Sequence, residues 1–362
     1  MKISLIRTYT FPIFRKPSLP FHSTFHKPIS FSSSSSSLKP KTAIFLRPPT
    51  HSTPLSDLKK WYTWAKTLAS SVGSSFLHSD NGPDASLLCR ELNWLLEDSV
   101  EDHSLIPQLG IQESPQNVNL RVDLDELYCL WKERIEKRKP LQYLVGCEHW
   151  RDLVLCVEEG VFIPRPETEL MVDMVSDLIE KNEELREGLW VDLGTGSGAI
   201  AIGIGRVLGK QGKVIAIDLN PVACSVAALN VQRYGLQDEI EVRRGFWFET
   251  LKDVEGKLSG VVSNPPYIPS DHISGLQAEV GEHEPRLALD GGPNGLEDLL
   301  HLCNGAASML KPGGFFAFET NGEKHCKVLV DYLENDPAGR FCNAKIVSDI
   351  AGIQRFVTGF RR

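Results

Sequence analysis

The chain has 362 residues, 41% of them hydrophobic and 24% charged, and its 39 Lys and Arg stand against 47 Asp and Glu for a formal net charge of −8. That balance excludes the broad basic field of an unspecific nucleic-acid binder and suits an enzyme with a basic protein substrate. The composition is that of a globular protein of two domains, or of one large domain with an extension, and no apolar run approaches the roughly 20 residues of a membrane span. The eight cysteines form no Cys-x-x-Cys pair and no Cys/His group at zinc-ligand spacing. They read as free thiols in a reducing compartment, with no metal site.

Residues 1–55 are rich in Lys, Arg, Ser and Pro, and the first acidic residue is Asp57. A basic, hydroxyl-rich, acid-free start without a compact apolar core reads as a disordered organelle transit peptide, outside the fold. The serine run at 32–37 favours a chloroplast over a mitochondrion. Residues 56–144 follow a helical pattern. Leu58, Trp61, Tyr62, Ala65 and Leu68 recur at three-and-four spacing behind a capping Ser56, and Leu87, Leu88, Leu92, Leu95 and Leu96 repeat it. A third helix starts at Asp123 and Asp125 and ends before Pro140, and "IPQLGIQESPQNVN" between them reads as a loop. Trp61, Trp64 and Trp94 are expected in the core.

Residues 145–168 read as a β-hairpin linker. From 169 to 362 strands and helices alternate, which predicts an α/β domain on a mostly parallel sheet. Its strands are expected in "GLWVDLG", "KVIAIDLN", "IEVRRG", "LSGVVSN", "GGFFAFET", "FCNAKIVSD" and "RFVTGFR".

"VDLGTGSGAIAI" puts Gly194, Gly196 and Gly198, with Thr195 and Ser197 between them, at a strand-to-helix turn where backbone N–H groups can approach a ligand. Asp218 ends the next strand, at the place from which an acid accepts hydrogen bonds from a ribose diol. Asp192, ahead of the loop, orients its backbone or is an ordinary strand-end acid. These features imply an adenosine-bearing cofactor without choosing between NAD and S-adenosylmethionine.

"VVSNPPYIPS" makes the choice. Asn264 offers a side-chain carbonyl, Pro265 a backbone carbonyl with no competing N–H, and Tyr267 a flat face. Pro265 and Pro266 stiffen the turn. Two acceptors held close together suit an –NH2 group, and hence methyl transfer to a planar amide or amino nitrogen.

At these residues the chain resembles the HemK/PrmC-type protein-(glutamine-N5) methyltransferases, which modify the glutamine of the Gly-Gly-Gln motif in peptide chain release factors. The resemblance runs from about Leu58 to the C-terminus. It is carried by "FIPRPETE", "DLGTGSGAIAI", "AIDLNP", "VVSNPPYI", "HEPRLALDGGPNGL", "LKPGGFFAFE" and "DIAGIQRFV". It implies a Rossmann-like class I S-adenosylmethionine-dependent methyltransferase domain with a seven-stranded sheet, behind a helical domain that helps dock the release factor. It implies the cofactor in the loop of Gly194, Thr195, Gly196, Ser197 and Gly198, with Asp218 on the ribose and Trp247 near the adenine. Asn264, Pro265, Pro266 and Tyr267 would hold the glutamine amide, Asn264 also beside the cofactor. Relatives often carry an acid where this chain has Phe246, so adenine recognition here would rest on stacking by Phe246 or Trp247. Arg165, Glu167 and Glu169 match the family pattern, either closing the site or anchoring loops, and Glu284 in "HEPRLAL" matches it too, either supporting Asn264 or as a structural cap. The partner implied is a release factor, with no nucleic acid or membrane and with the enzyme a monomer. Rival readings are a glutamine methyltransferase of a ribosomal protein, an adenine-N6 nucleic-acid methyltransferase, an NAD-dependent oxidoreductase and a non-enzymatic scaffold. Low pI and the lack of a basic stripe count against the nucleic-acid enzyme, only the ambiguous glycine loop favours the oxidoreductase, and the intact motifs count against the scaffold.

Overall fold

Residues 42–110 and 116–362 are described by a computed structural model, all of them within one compact unit spanning residues 40–362. Most of the expected leader lies outside these residues, but its last stretch corrects the boundary set at 55. Ala43 and Ile44 are buried in the helical core, and β1 (His51–Pro54) pairs antiparallel with β2 (Asn117–Leu120). The second strand falls in what the sequence presents as a loop. Its alternation of exposed and buried residues is only four residues long, and its partner lies in the segment set aside as leader.

Three long helices supply the rest of that core. Leu55–Val72 buries Leu58, Trp61, Ala65 and Ala69 on one stripe. It starts one residue before Ser56, with Pro54 at the cap position and no side-chain cap, so the expected capping role of Ser56 is not seen. Ala85–Ser99 is capped by Asp84, which accepts from the Leu87 N–H, and Leu124–Glu136 by Asp123, which accepts from the Glu126 N–H. The Trp131 indole donates to the Ala65 carbonyl at 2.9 Å and locks the third helix to the first.

A hairpin, β3 (Cys147–Trp150) and β4 (Leu153–Cys156), joins this core to the next. Cys147 and Cys156 pack into the helical core, whereas Trp150, Leu153 and Leu155 pack against the large sheet. The sheet contains β5 (Leu189–Leu193), β6 (Lys213–Asp218), β7 (Ile240–Arg244), β8 (Leu258–Ser263), β9 (Leu310–Glu319), β10 (Phe341–Ser348) and β11 (Gln354–Arg361). Its spatial order is β10-β11-β9-β8-β5-β6-β7, with β11 alone running against the others. This is the seven-stranded, mostly parallel sheet expected. Chain order reverses between β5 and β8, so their carboxyl ends open a crevice at the sheet's edge. Both strands are almost wholly buried, covered on one face by Glu169–Ile179 and Ala199–Leu208 and on the other by Glu297–Met309 and Glu323–Glu334.

The helical core and the sheet are clamped by charge. Arg134, 1% exposed, hydrogen-bonds Glu91 on a neighbouring helix and Glu279 from the segment after β8. Arg138 adds Glu279 at 2.6 Å and Asp80 at 3.1 Å. Among the described residues no helix is long and apolar enough to cross a membrane.

Candidate active site

The loop after β5 needs its glycines. Gly194, Gly196 and Gly198 have φ of 71°, 56° and 84°, a region L-residues with side chains disfavour. A Cβ on Gly194 would sit in ordinary contact with the Trp247 ring at 3.6 Å, so the demand there is on backbone conformation and not on space. The Gly194 and Thr195 N–H groups both donate to the Ile217 carbonyl at 2.9 Å, tying the loop to β6. Asp192, fully buried, accepts from the Thr195 hydroxyl at 2.6 Å and from the Ala201 N–H at 3.1 Å through one oxygen, and its other oxygen has no partner. It thus holds both ends of the loop, and burial pushes its pKa up to about 7. Asp218, at the end of β6, accepts from the Gly196 N–H at 2.9 Å and the Asn220 N–H at 2.8 Å, and burial raises its pKa.

Phe246 and Trp247 follow β7. Trp247 is 9% exposed and its indole donates to Asp298 at 3.1 Å, whereas Phe246 is 42% exposed. Their ring centroids lie 6.0 Å apart. The buried ring forms an inner wall and the exposed one a face at the mouth.

Asn264 stands at the carboxyl end of β8, which the Ser263 hydroxyl ties to the Leu193 carbonyl at the end of β5. Its Nδ2 donates to the Thr168 hydroxyl oxygen at 3.2 Å, and its Oδ1 is buried without a partner. Thr168 donates to Glu319 at 2.6 Å, and the Tyr267 hydroxyl donates to the other oxygen of the same carboxylate at 3.2 Å. Glu319 is fully buried at the end of β9.

One cavity collects most of these groups. Gly194, Thr195, Gly196, Ser197, Asp218, Trp247, Asn264 and Pro266 line it, with an open volume of about 1080 Å³ including its mouth. Gly198, Pro265 and Tyr267 do not line it. Gly198 caps the helix behind, Pro265 is buried, and Tyr267 is half-buried with its hydroxyl held by Glu319. The opposite wall comes from Phe162, Pro164 and Thr168 before the loop and from Leu287 and Ala288 after β8. Thr168 and Glu319 lie within motifs visible in the sequence but carry no role there, because 151 residues separate them. Asp298 had no signal beyond being an acid early in a helix.

Arg165, Glu167 and Glu284 serve as loop anchors. Glu284 accepts from the Ile163 N–H at 3.1 Å and pairs with Arg165, so it shapes the 162–168 wall and does not support Asn264. Glu167 lies 3.7 Å from Arg355, and Glu169 accepts from the Arg151 N–H at 2.9 Å. Away from the cavity, Asp98, Cys147 and His149 cluster in a way their spacing in the chain does not reveal. Burial, with Asp98 beside it, holds the Cys147 thiol well above its ordinary pKa.

A glycine loop, an acid at the end of the neighbouring strand and an aromatic wall around one mostly apolar hollow fit an adenosine-bearing group. The orphan Asn264 oxygen at the hollow's other end fits an N–H donor brought by a second reactant.

Comparison with known proteins agrees. The model of the methyltransferase small domain family matches residues 153–279. A release factor glutamine methyltransferase of Synechocystis is 36% identical over 307 residues, covering 83% of this chain and 95% of that protein. One from Gloeobacter violaceus is 41% identical over 270 residues, 75% of this chain and 90% of that one. Among solved structures, the hMettl16 catalytic domain in complex with a MAT2A 3'UTR hairpin matches at 15% identity and a TM-score of 0.48, over 78% of this chain and 94% of that one. That likeness carries no argument about substrate.

Proposed function

Because the chain belongs to the release factor glutamine methyltransferase family, we propose that it methylates the side-chain N5 of the glutamine in the Gly-Gly-Gln motif of an organellar peptide chain release factor. It is an S-adenosylmethionine-dependent methyltransferase. The single observation that carries the substrate reading is Asn264, whose Oδ1 is a buried acceptor without a donor at the edge of the cofactor-sized cavity. Such an orphan costs about 1–3 kcal/mol and is relieved by a ligand that brings an N–H.

Bound S-adenosylmethionine supplies an activated methyl group. The chain's own residues do the rest. The loop of residues 194–198 and Asp218 seat the nucleoside, and Phe246 and Trp247 flank its base. Asn264 Oδ1 accepts one N–H of the glutamine amide; Pro265, buried behind the cavity wall, stiffens the turn that carries Asn264, and its carbonyl becomes a second acceptor only if the turn shifts as substrate enters. An amide nitrogen is a poor nucleophile because its lone pair is delocalised. Acceptors on its hydrogens favour positive charge building on nitrogen and hold it in line for transfer. No general base has to act first. The mouth residues Phe246 and Leu287, 42% and 54% exposed, offer an apolar rim to an entering peptide.

The protein works as a monomer on a protein substrate, with no nucleic acid in the reaction. Its basic, acid-free start supports an organelle address and its serine run at 32–37 a chloroplast, a mitochondrion being the alternative, and cleavage before residue 43 would leave the buried Ala43 and Ile44 in place. Fusion of residues 1–41 to a fluorescent reporter tests the address. For the reaction, the protein is incubated with labelled S-adenosylmethionine and a plastid release factor. Label on the Gly-Gly-Gln glutamine is expected. An unlabelled release factor, with label on DNA or on a ribosomal protein instead, overturns the reading.

A further inference from the structure

The Thr168 hydroxyl has one proton and two polar neighbours. Glu319, when ionised, is an acceptor only, and the 2.6 Å contact to it is the short, charge-assisted kind. While Glu319 is ionised the Thr168 proton therefore goes to it, and Thr168 offers Asn264 a lone pair. Only the Asn264 nitrogen can use that lone pair, across 3.2 Å. The alternative flip of the carboxamide would set Oδ1 against an oxygen whose proton is already committed, acceptor facing acceptor. One flip survives, and in it Oδ1 is the atom left without a partner.

The same carboxylate accepts from the Tyr267 hydroxyl at 3.2 Å, so both ends of the Asn-Pro-Pro-Tyr turn hang from Glu319. Thr168 reaches it from the 162–168 wall and Glu319 from the end of β9. Thr168 and Glu319 are both buried, so the contact between them is made without competition from bulk solvent.

We propose that Glu319 and Thr168 are positioning residues that set the orientation of the Asn264 carboxamide, so that its oxygen and not its nitrogen meets the substrate's N–H. This rests on the reading of Asn264 as the acceptor for an amide substrate. The relay gives Asn264 a fixed polarity before substrate arrives, which is what an acceptor must have if it is to act without reorganising.

The test compares Thr168→Val, which keeps the shape and removes the hydroxyl, with Thr168→Ser, which keeps the hydroxyl. Assays run at about pH 8, where Glu319 is ionised, burial having pushed its pKa up to about 7. Thr168→Val is expected to lower kcat at least about 30-fold, with cofactor affinity within about threefold of the parent, and Thr168→Ser to restore kcat to within about threefold. The second readout needs no substrate. In protein labelled with 15N at asparagine, the Asn264 side-chain NH2 signal, assigned by its loss in Asn264→Asp, should exchange with solvent at least about tenfold faster in Thr168→Val and unchanged in Thr168→Ser. Equal kcat in the valine variant, equal loss in the serine variant, or exchange that ignores the hydroxyl overturns the relay. A parent enzyme that leaves release factor unlabelled while the exchange pattern holds overturns the substrate reading alone.

Discussion

Asn264 can be named from sequence because its neighbours are unusual, and its role is testable by truncation. Asn264→Ala removes the free acceptor while leaving the glycine loop and Asp218 in place. Methyl transfer should fall by about 100-fold or more, with cofactor affinity within about threefold, in parallel turnover and calorimetric measurements. Turnover close to that of the parent would refute its role. Gly295 is a less obvious dependency. It has φ of 68°, and a Cβ there would collide with the Tyr267 carbonyl. Gly295→Ala is expected to displace the turn and cost about 2 kcal/mol in chemical denaturation, with activity lost beyond that. What sequence could not show at this scale is the partnership of Thr168, Asn264 and Glu319. Each sits inside a recognisable run of residues, but their contacts span three elements and depend on the order in which strands pair.

At the scale of elements, the long helices and central strands are legible because their burial repeats over many residues. Leu58, Trp61 and Ala65 on one helix, and the apolar runs in β5 and β8, are enough. The four-residue pair of β1 and β2 is not legible, since neither strand is long enough to show a period and basic, proline-rich residues surround the first. The pair matters nonetheless. Deleting residues 1–41 should leave thermal stability unchanged, while deleting residues 1–54 removes Ile44, which is fully buried, together with β1. That larger deletion is expected to cost on the order of 3 kcal/mol, measured by urea denaturation. Equal stability of the two truncations would show that the segment is ornamental.

At the scale of the whole molecule, two fully buried carboxyls set a pH dependence. Asp192 and Glu319 have pKa values raised to about 7 from ordinary values of 3.8 and 4.5. Between those limits the native chain holds protons that the unfolded chain has released, so stability falls as pH rises through about 7. In the other direction Asp336, held below its ordinary range by Arg340, withdraws its contribution as pH drops below 3.8. The cofactor-free protein should therefore melt at a lower temperature at about pH 8 than at about pH 5, with a contribution on the order of 2 kcal/mol from each buried acid. Asp192→Asn should flatten that slope, and a melting temperature that rises over the same interval would contradict the assignment. The seven strands and the glycine loop are readable in the chain, whereas the strand order with its switch point and the charge clamp between the two cores are not, because they join distant residues such as Arg134 and Glu279, 145 apart. That clamp bears on how the enzyme can be rebuilt. Exchanging the helices alone for those of a relative, to redirect the enzyme to another protein, would strand Glu279 or Arg134 as a buried charge without its counter-charge. The heritable module is the helices together with residues 278–284, and a graft respecting that seam should fold where one cut at the hairpin does not.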